Sequence, residues 1–214
     1  MMDRGLLLIG GGGHCLSVIE SLRDQQDFSR IGIIDTPEKN GQTLLGIPFI
    51  GSDKDCKRLL TEGYTDAFIS FGSIGNPSKR ITLFNKLSLM GFNMANVIDS
   101  SAHVGDSVTF RKGVYVGKHV TINAFAIIAD CVIINTGAII EHRCIIGPFA
   151  HIAPGVILCG EVIIGENTHI GAGSCVKQSV QIGDNCLIGM GSVVLKSISD
   201  GVTAYGNPCK EVTG

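Results

Sequence analysis

Six histidines, a carboxylate beside one of them, and a run of four glycines are the residues of this 214-residue chain best suited to chemistry. His142 and His151 stand nine residues apart in INTGAIIEHRCIIGPFAHIAPG, and Glu141 precedes His142. An imidazole titrates near neutral pH, so with a carboxylate at hand it serves as a general base. Far upstream, Gly10 to Gly13 separate a short apolar run from a helical pattern that starts at His14. Glycines at a strand-to-helix turn let the backbone approach a phosphate, and the helix start adds unpaired N–H groups. Gly11, Gly12, Gly13 and His14 are therefore candidates to hold a nucleotide diphosphate. Asp35, at the end of the next apolar run and followed by Thr36, is placed to accept hydrogen bonds from a ribose or a base edge. Gly72 opens a further loop at the same sheet edge. The G-x-G-x-x-G pattern is incomplete, since Gly10 and Gly12 fit but Cys15 holds the third place, which weakens a dinucleotide reading.

Two kinds of element must position these groups. Apolar runs at 6–9, 31–34, 47–50, 67–71 and 93–97 alternate with helical patterns at 14–26, 52–61 and 78–90. That alternation predicts a Rossmann-like α/β domain over residues 1–97. From Ile98 to Val194 every sixth residue is instead a branched aliphatic or Phe. A period of six is the signature of a parallel β-helix with three rungs per coil, predicted over 98–214 with a tail from Gly201 to Lys210 that leaves the repeat. Small side chains four residues after the aliphatics (Ala126, Ala138, Cys144, Ser174) suit tight corners. Gly105, Gly117, Gly147 and Gly171, directly after aliphatics, are expected to give the corners unusual backbone angles. His169, eighteen residues after His151, falls one coil on at the same place, where packing is its expected role.

Composition excludes several classes. The 17 basic residues form no run and the formal charge is −2, so neither nucleic acid nor membrane is expected as a partner. The opening MMDRGLLLIGGGGH is too short in apolar residues for a signal peptide or a span, and a cytoplasmic protein is expected. Eight scattered cysteines without a C-x-x-C pair read as small hydrophobes, with no metal expected.

GGGGH, IID ending at Asp35, NTGAIIEH, HIAPG and the closing AYGNPCK together resemble the bacterial nucleotide-sugar acetyltransferases of the sialic acid O-acetyltransferase type, within the hexapeptide-repeat acyltransferase superfamily. The likeness runs nearly end to end. It implies a left-handed coil, a homotrimer with active sites between the β-helices of neighbouring subunits, and direct transfer from acetyl-CoA without an acyl-enzyme. It implies that His142 takes the proton from a sugar amine or hydroxyl, that His151 contacts acetyl-CoA, and that Ala172 and Met190 offer backbone contacts to CoA. The tail would cap the coil near the CoA adenine, and Lys177, Lys196 and Lys210 are either phosphate partners or solvated charges. One departure stands out: N-acetyltransferases of this type carry an acidic residue after the catalytic His, where this chain has Arg143. A cation there works against the base, and Glu141, its neighbour on an extended rung, is expected to point to the opposite face.

Register adds Gly160, one coil or about 4.8 Å beyond His142, whose N–H could meet the oxyanion formed at the thioester carbonyl. Asn135 is a further candidate for holding the sugar. The favoured acceptor is the 4-amino group of a UDP-linked sugar, with O-acetylation of a sialic-acid-like hydroxyl as the alternative. A non-catalytic nucleotide-sugar scaffold is the alternative of another class. A zinc enzyme on a similar coil fits poorly, because no H-x-x-x-x-H pair is present and the glycine turn would have no work.

Overall fold

The apolar runs of the first hundred residues form one sheet because segments on either side of each run can cover it. A computed structural model of the chain describes residues 4–24 and 27–212. Its elements run Gly5–Ile9 (β1), Gly13–Leu22 (α1), Arg30–Ile34 (β2), Thr43–Leu44 (β3), Ile47–Gly51 (β4), Cys56–Thr61 (α2), Asp66–Ile69 (β5), Ser78–Met90 (α3) and Asn93–Met94 (β6). The sheet order is β3-β4-β2-β1-β5-β6, parallel throughout except for the β3–β4 hairpin. Alternation along the strands sorts the core. Leu6, Leu8 and Phe68 pack with Cys15, Val18 and Leu22 of α1, whereas Leu7, Ile9 and Ile69 pack with Leu59 of α2 and Leu83 and Leu87 of α3. The loops after β1, β2 and β5 therefore emerge at one edge.

Element ends differ from the sequence pattern in ways that local bonding explains. The helix expected to run to Gln26 is assigned to Leu22, and Gln25 and Gln26 lie outside the described residues. The helix expected from 52 begins at Cys56, because Asp55 first accepts a bond from the Ser52 N–H at 2.8 Å and turns the chain. The run at 93–97 divides between β6 and the first rung, Val97–Ile98.

From there two-residue strands recur every six residues to Val193–Val194 and stack on three faces, forming a left-handed parallel β-helix. The first face carries Val97, Tyr115, Ile133, His151, His169 and Leu187 as its outward column. The second face holds the rungs at 103–104 and onward, and the third those at 109–110 and onward. The inward aliphatics and the small corner residues Ala126, Ala138, Cys144 and Ser174 fill one continuous core.

The corner glycines act differently from the expectation. Gly105, Gly117, Gly147 and Gly171 do not have positive φ; after the last three the left-handed residue falls two positions later, at His119, Phe149 and Gly173, with φ between 55° and 69°. What Gly117, Gly147 and Gly171 supply is clearance. A Cβ on Gly171 would lie 2.5 Å from the Met190 nitrogen and 2.6 Å from the Gly189 carbonyl carbon of the next coil.

The α/β domain sits on the first face and on the corner that leads into it, where Phe84 of α3 packs against Phe149. Val97, Tyr115 and Ile133 join the core beneath α1. Ser21 on α1 donates to Asp99 at 2.7 Å, and Lys118 pairs with the same carboxylate at 3.0 Å. Burial opposes the Asp99 charge, but bonds from Ser101, Ser21 and Lys118 outweigh it and hold the carboxyl well below the usual range.

Backbone cannot give way as a flexible side chain can, so Gly171→Ala is expected to destabilise the chain by about 1–3 kcal/mol. A thermal melt against the unaltered protein measures this; an unchanged Tm would contradict the clearance argument.

Candidate active site

At the loop edge, the four glycines divide by function. A Cβ on Gly10 would meet Phe71 at 2.8 Å and one on Gly11 would meet Phe49 at 2.4 Å, so the fold itself requires both. Gly12 and Gly13 face open space at the start of α1, with no side chain capping the helix. They leave backbone N–H groups accessible to an anion. Cys15, in the third motif place, is wholly buried between α1 and the sheet, where a small side chain suffices.

Asp35 binds the turn together. Its carboxylate accepts from the Gly11 N–H at 2.7 Å and the Thr36 N–H at 2.7 Å, and pairs with Lys39 at 2.8 Å. Burial works against its charge, yet these bonds prevail and its carboxyl titrates below the usual range. Beside it opens a cavity of about 280 Å³ walled by Gly10, Asp35, Pro37, Asp53, Phe71 and Leu83.

Beneath this edge lies a group of buried cations and imidazoles that sequence reasoning did not assemble. His14 packs edge-on against Tyr115, with ring centroids 4.8 Å apart. His151 points out of the coil but is covered by the loop after β5: its Nδ1 meets the Ser73 carbonyl at 3.0 Å, and Gly72 lies against its ring. A carbonyl only accepts, so Nδ1 carries the proton and Nε2 presents a lone pair. His169 stacks edge-on against His151 at 4.8 Å, the packing role expected of it. Arg80 on α3 is 1% exposed and donates to the Cys131 carbonyl, with no carboxylate partner among the described residues. Its Nε and Nη1, with the Nε2 atoms of His14 and His151, have no hydrogen-bond partner there. Burial, and after it the charge of Arg80, lowers the pKa of His151. Burial pushes those of His14 and His169 down to about 4. Nothing local in NPSKR marks Arg80, because its surroundings come from another part of the chain.

His142 occupies the corner between the second and third faces, away from the face that the α/β domain covers. Its side chain is half exposed. Glu141 does not turn away as expected: its Oε2 lies 3.4 Å from His142 Nδ1, because residues 141–144 form a corner and not a strand. Arg143, in a left-handed conformation, reaches Glu161 on the next coil at 3.8 Å. The imidazole lies directly over Gly160, where a Cβ would come within 2.5 Å of Cε1 and 2.6 Å of Nε2.

The sequence-derived residues thus fall into two groups within one chain. Gly11 to His14, Asp35, Thr36, Gly72 and His151 meet at the sheet edge and first face. Asn135, Ala172 and the 79% exposed Met190 lie along the corner between the first and second faces. Glu141, His142 and Gly160 form the second group, one corner further round. Among the described residues, no group of three His, Cys, Asp or Glu side chains is placed to hold a metal ion.

Residues 5–87 match the PglD N-terminal domain, and 161–196 match the hexapeptide repeat of succinyl-transferase. The perosamine N-acetyltransferase of Caulobacter crescentus, solved with CoA and GDP-perosamine, is 36% identical over 98% of this chain and 97% of its own, with a TM-score of 0.91. The acetyltransferase domain of PglB from Neisseria gonorrhoeae, solved with acetyl coenzyme A, is 30% identical over 98% of this chain and all of its own, with a TM-score of 0.88. WeeI from Acinetobacter baumannii is 26% identical over 98% of this chain, with a TM-score of 0.86.

The lowered histidines set an acid limit. Unfolded, His14 and His169 titrate near 6.5, and folded near 4, so between those values the unfolded chain binds protons that the folded chain refuses. Their contribution is complete above pH 6.5 and declines as pH falls toward 4. Urea midpoints measured from pH 8 to pH 4 are expected to drop across that window, with a shallower drop in His169→Phe. Equal slopes in the two proteins would count against the assignment.

Proposed function

This chain belongs to the sugar N-acetyltransferases of the hexapeptide-repeat acyltransferase superfamily, and on that premise we propose that it acetylates the 4-amino group of a nucleotide-linked sugar, with His142 as general base. It is an acyltransferase that uses acetyl-CoA. The observation that carries the residue-level reading is the seat of His142, a half-exposed imidazole with a carboxylate at Nδ1 and a glycine beneath the ring. In this reading Glu141 holds Nδ1–H, and Nε2 takes the proton from the sugar amine as the amine attacks the thioester carbonyl. The tetrahedral oxyanion then collapses, the C–S bond breaks, and the proton on Nε2 passes to the departing CoA thiolate. The Gly160 N–H, which donates to no described group, is the candidate donor to the oxyanion. Arg143 is compatible with this chemistry because its charge is directed at Glu161.

The site is complete only when two copies of the chain meet. His142 stands one corner away from the glycine turn and the face carrying His151, so the base of one chain serves the nucleotide sugar of a neighbour. The exposed Phe125, Ile127 and Ile145 around that corner provide apolar surface for the contact. A closed ring of three such contacts gives the homotrimer. His151, Ala172 and Met190 lie on the side that would face the incoming CoA. The sugar nucleotide would seat its diphosphate on Gly12 and Gly13 and its ribose by Asp35.

His142→Ala is expected to lower kcat by roughly 10²- to 10⁴-fold while CoA and nucleotide still bind. Co-expressed with an equally inactive Asp35→Ala chain, it should regain about a quarter of the normal activity, the fraction of random neighbour pairs with both intact halves. No recovery would place the whole site within one chain. Gly160→Ala is expected to push the imidazole aside by about 1 Å and cost on the order of 10²-fold in kcat with little change in KM; steady-state kinetics read both.

A further inference from the structure

The cavity beside Asp35 carries information about the base of the nucleotide. Two acids line it, Asp35 and Asp53. Asp35 is fully engaged, one oxygen taking the Thr36 N–H and the other the Gly11 N–H and the Lys39 ammonium. Asp53 sits just beyond β4 at the mouth of the cavity and makes no hydrogen bond or ion pair with any other described residue. Pro37 and Leu83 give the cavity apolar surface suited to the face of a planar ring, Thr36, Ser52 and Lys54 line it as well, and the Lys79 ammonium lies 5.1 Å from the centre of the Phe71 ring.

An unengaged carboxylate offers two acceptors side by side and no donor. Among the common bases only guanine presents two adjacent donors on its pairing edge, N1–H and the 2-amino group. Uracil has one N–H between two carbonyls, which a carboxylate repels. Adenine and cytosine set a ring-nitrogen lone pair next to their amino group. A pocket that places a carboxylate at this edge therefore accepts guanine in a two-bond, charge-assisted contact and leaves unpaired or opposed groups with the others.

We propose that Asp53 selects a guanosine diphosphate-linked sugar by accepting N1–H and the 2-amino group of guanine. This departs from the uridine nucleotide favoured by the sequence, and it rests on the nucleotide-sugar reading above. The Asp53 side chain does not touch the reacting atoms, so its effect belongs in nucleotide affinity. An Asn at this position offers one acceptor and one donor, so it cannot accept both N1–H and the 2-amino group and it loses the charge that strengthens the contact.

The test is calorimetric titration of the full-length protein with GDP, UDP, ADP and CDP, alone and as Asp53→Asn, with acetyl-CoA binding as the control for folding. The unaltered protein is expected to bind GDP roughly tenfold or more tighter than the others, a margin of the size that one two-bond base contact supplies. Asp53→Asn is expected to remove most of that preference. A preference for UDP, or a GDP-to-UDP ratio unmoved by the substitution, overturns the inference and leaves the nucleotide-sugar reading intact. Equal weakening of all four nucleotides makes Asp53 a ribose contact and likewise overturns it. Absence of binding by every diphosphate, with acetyl-CoA still bound, counts against the nucleotide-sugar reading itself.

Discussion

The main-chain ladder between successive coils is the constraint on which the rest of this molecule depends. Each rung is two residues wide, too short to persist alone. Stability comes from stacking: the N–H of Ile133 donates to the carbonyl of Ala150, that of His151 to Thr168, and that of Ala153 to Ile170, at 2.9–3.0 Å. The same register lays His151 against His169 and Arg143 against Glu161, and it brings Gly160 under the His142 ring. A slip of one residue would turn the inward aliphatics to solvent, so the heights of the chemical groups are fixed by the hydrophobic core. The His142 imidazole owes its position to a backbone that cannot shift without disrupting the whole column.

On this rigid prism the α/β domain is a passenger held by one face and an adjoining corner. The buried Asp99, bonded to Ser21, Ser101 and Lys118, ties α1 to the second coil, and Arg80 reaches from α3 to the Cys131 carbonyl. With the domain held so, the loop after β5 covers His151 while the His142 side chain stays half exposed.

The two halves also differ in electrostatic character. Around the glycine turn, a buried guanidinium with no carboxylate partner among the described residues lies near two imidazoles whose protonation burial resists. That arrangement favours neutral, hydrogen-bonding histidines and an anionic ligand. At the other corner a half-exposed imidazole lies against a carboxylate, as proton transfer requires. Tyr115 contributes to the first half although no motif pointed to it, whereas Ser73 belongs to the loop that Gly72 marked.

Local pattern in the chain determined most of the architecture. A six-residue period imposes rungs because only side chains at that spacing can all point into a triangular prism, and eighteen-residue arithmetic alone brought His142 and Gly160 together. The strand, glycine turn and helix at the start were legible for the same reason: their signals are contained within a dozen residues. Tertiary structure decided what no spacing encodes. Which face the α/β domain covers, and hence the burial of His14 and His151, depends on contacts between residues about a hundred positions apart, such as Ser21 with Tyr115. The approach of Glu141 to His142 depends on a corner where strand alternation fails. The corner glycines, read in the sequence as backbone hinges, proved to be clearance for the next coil, because the atoms they must avoid lie eighteen residues away.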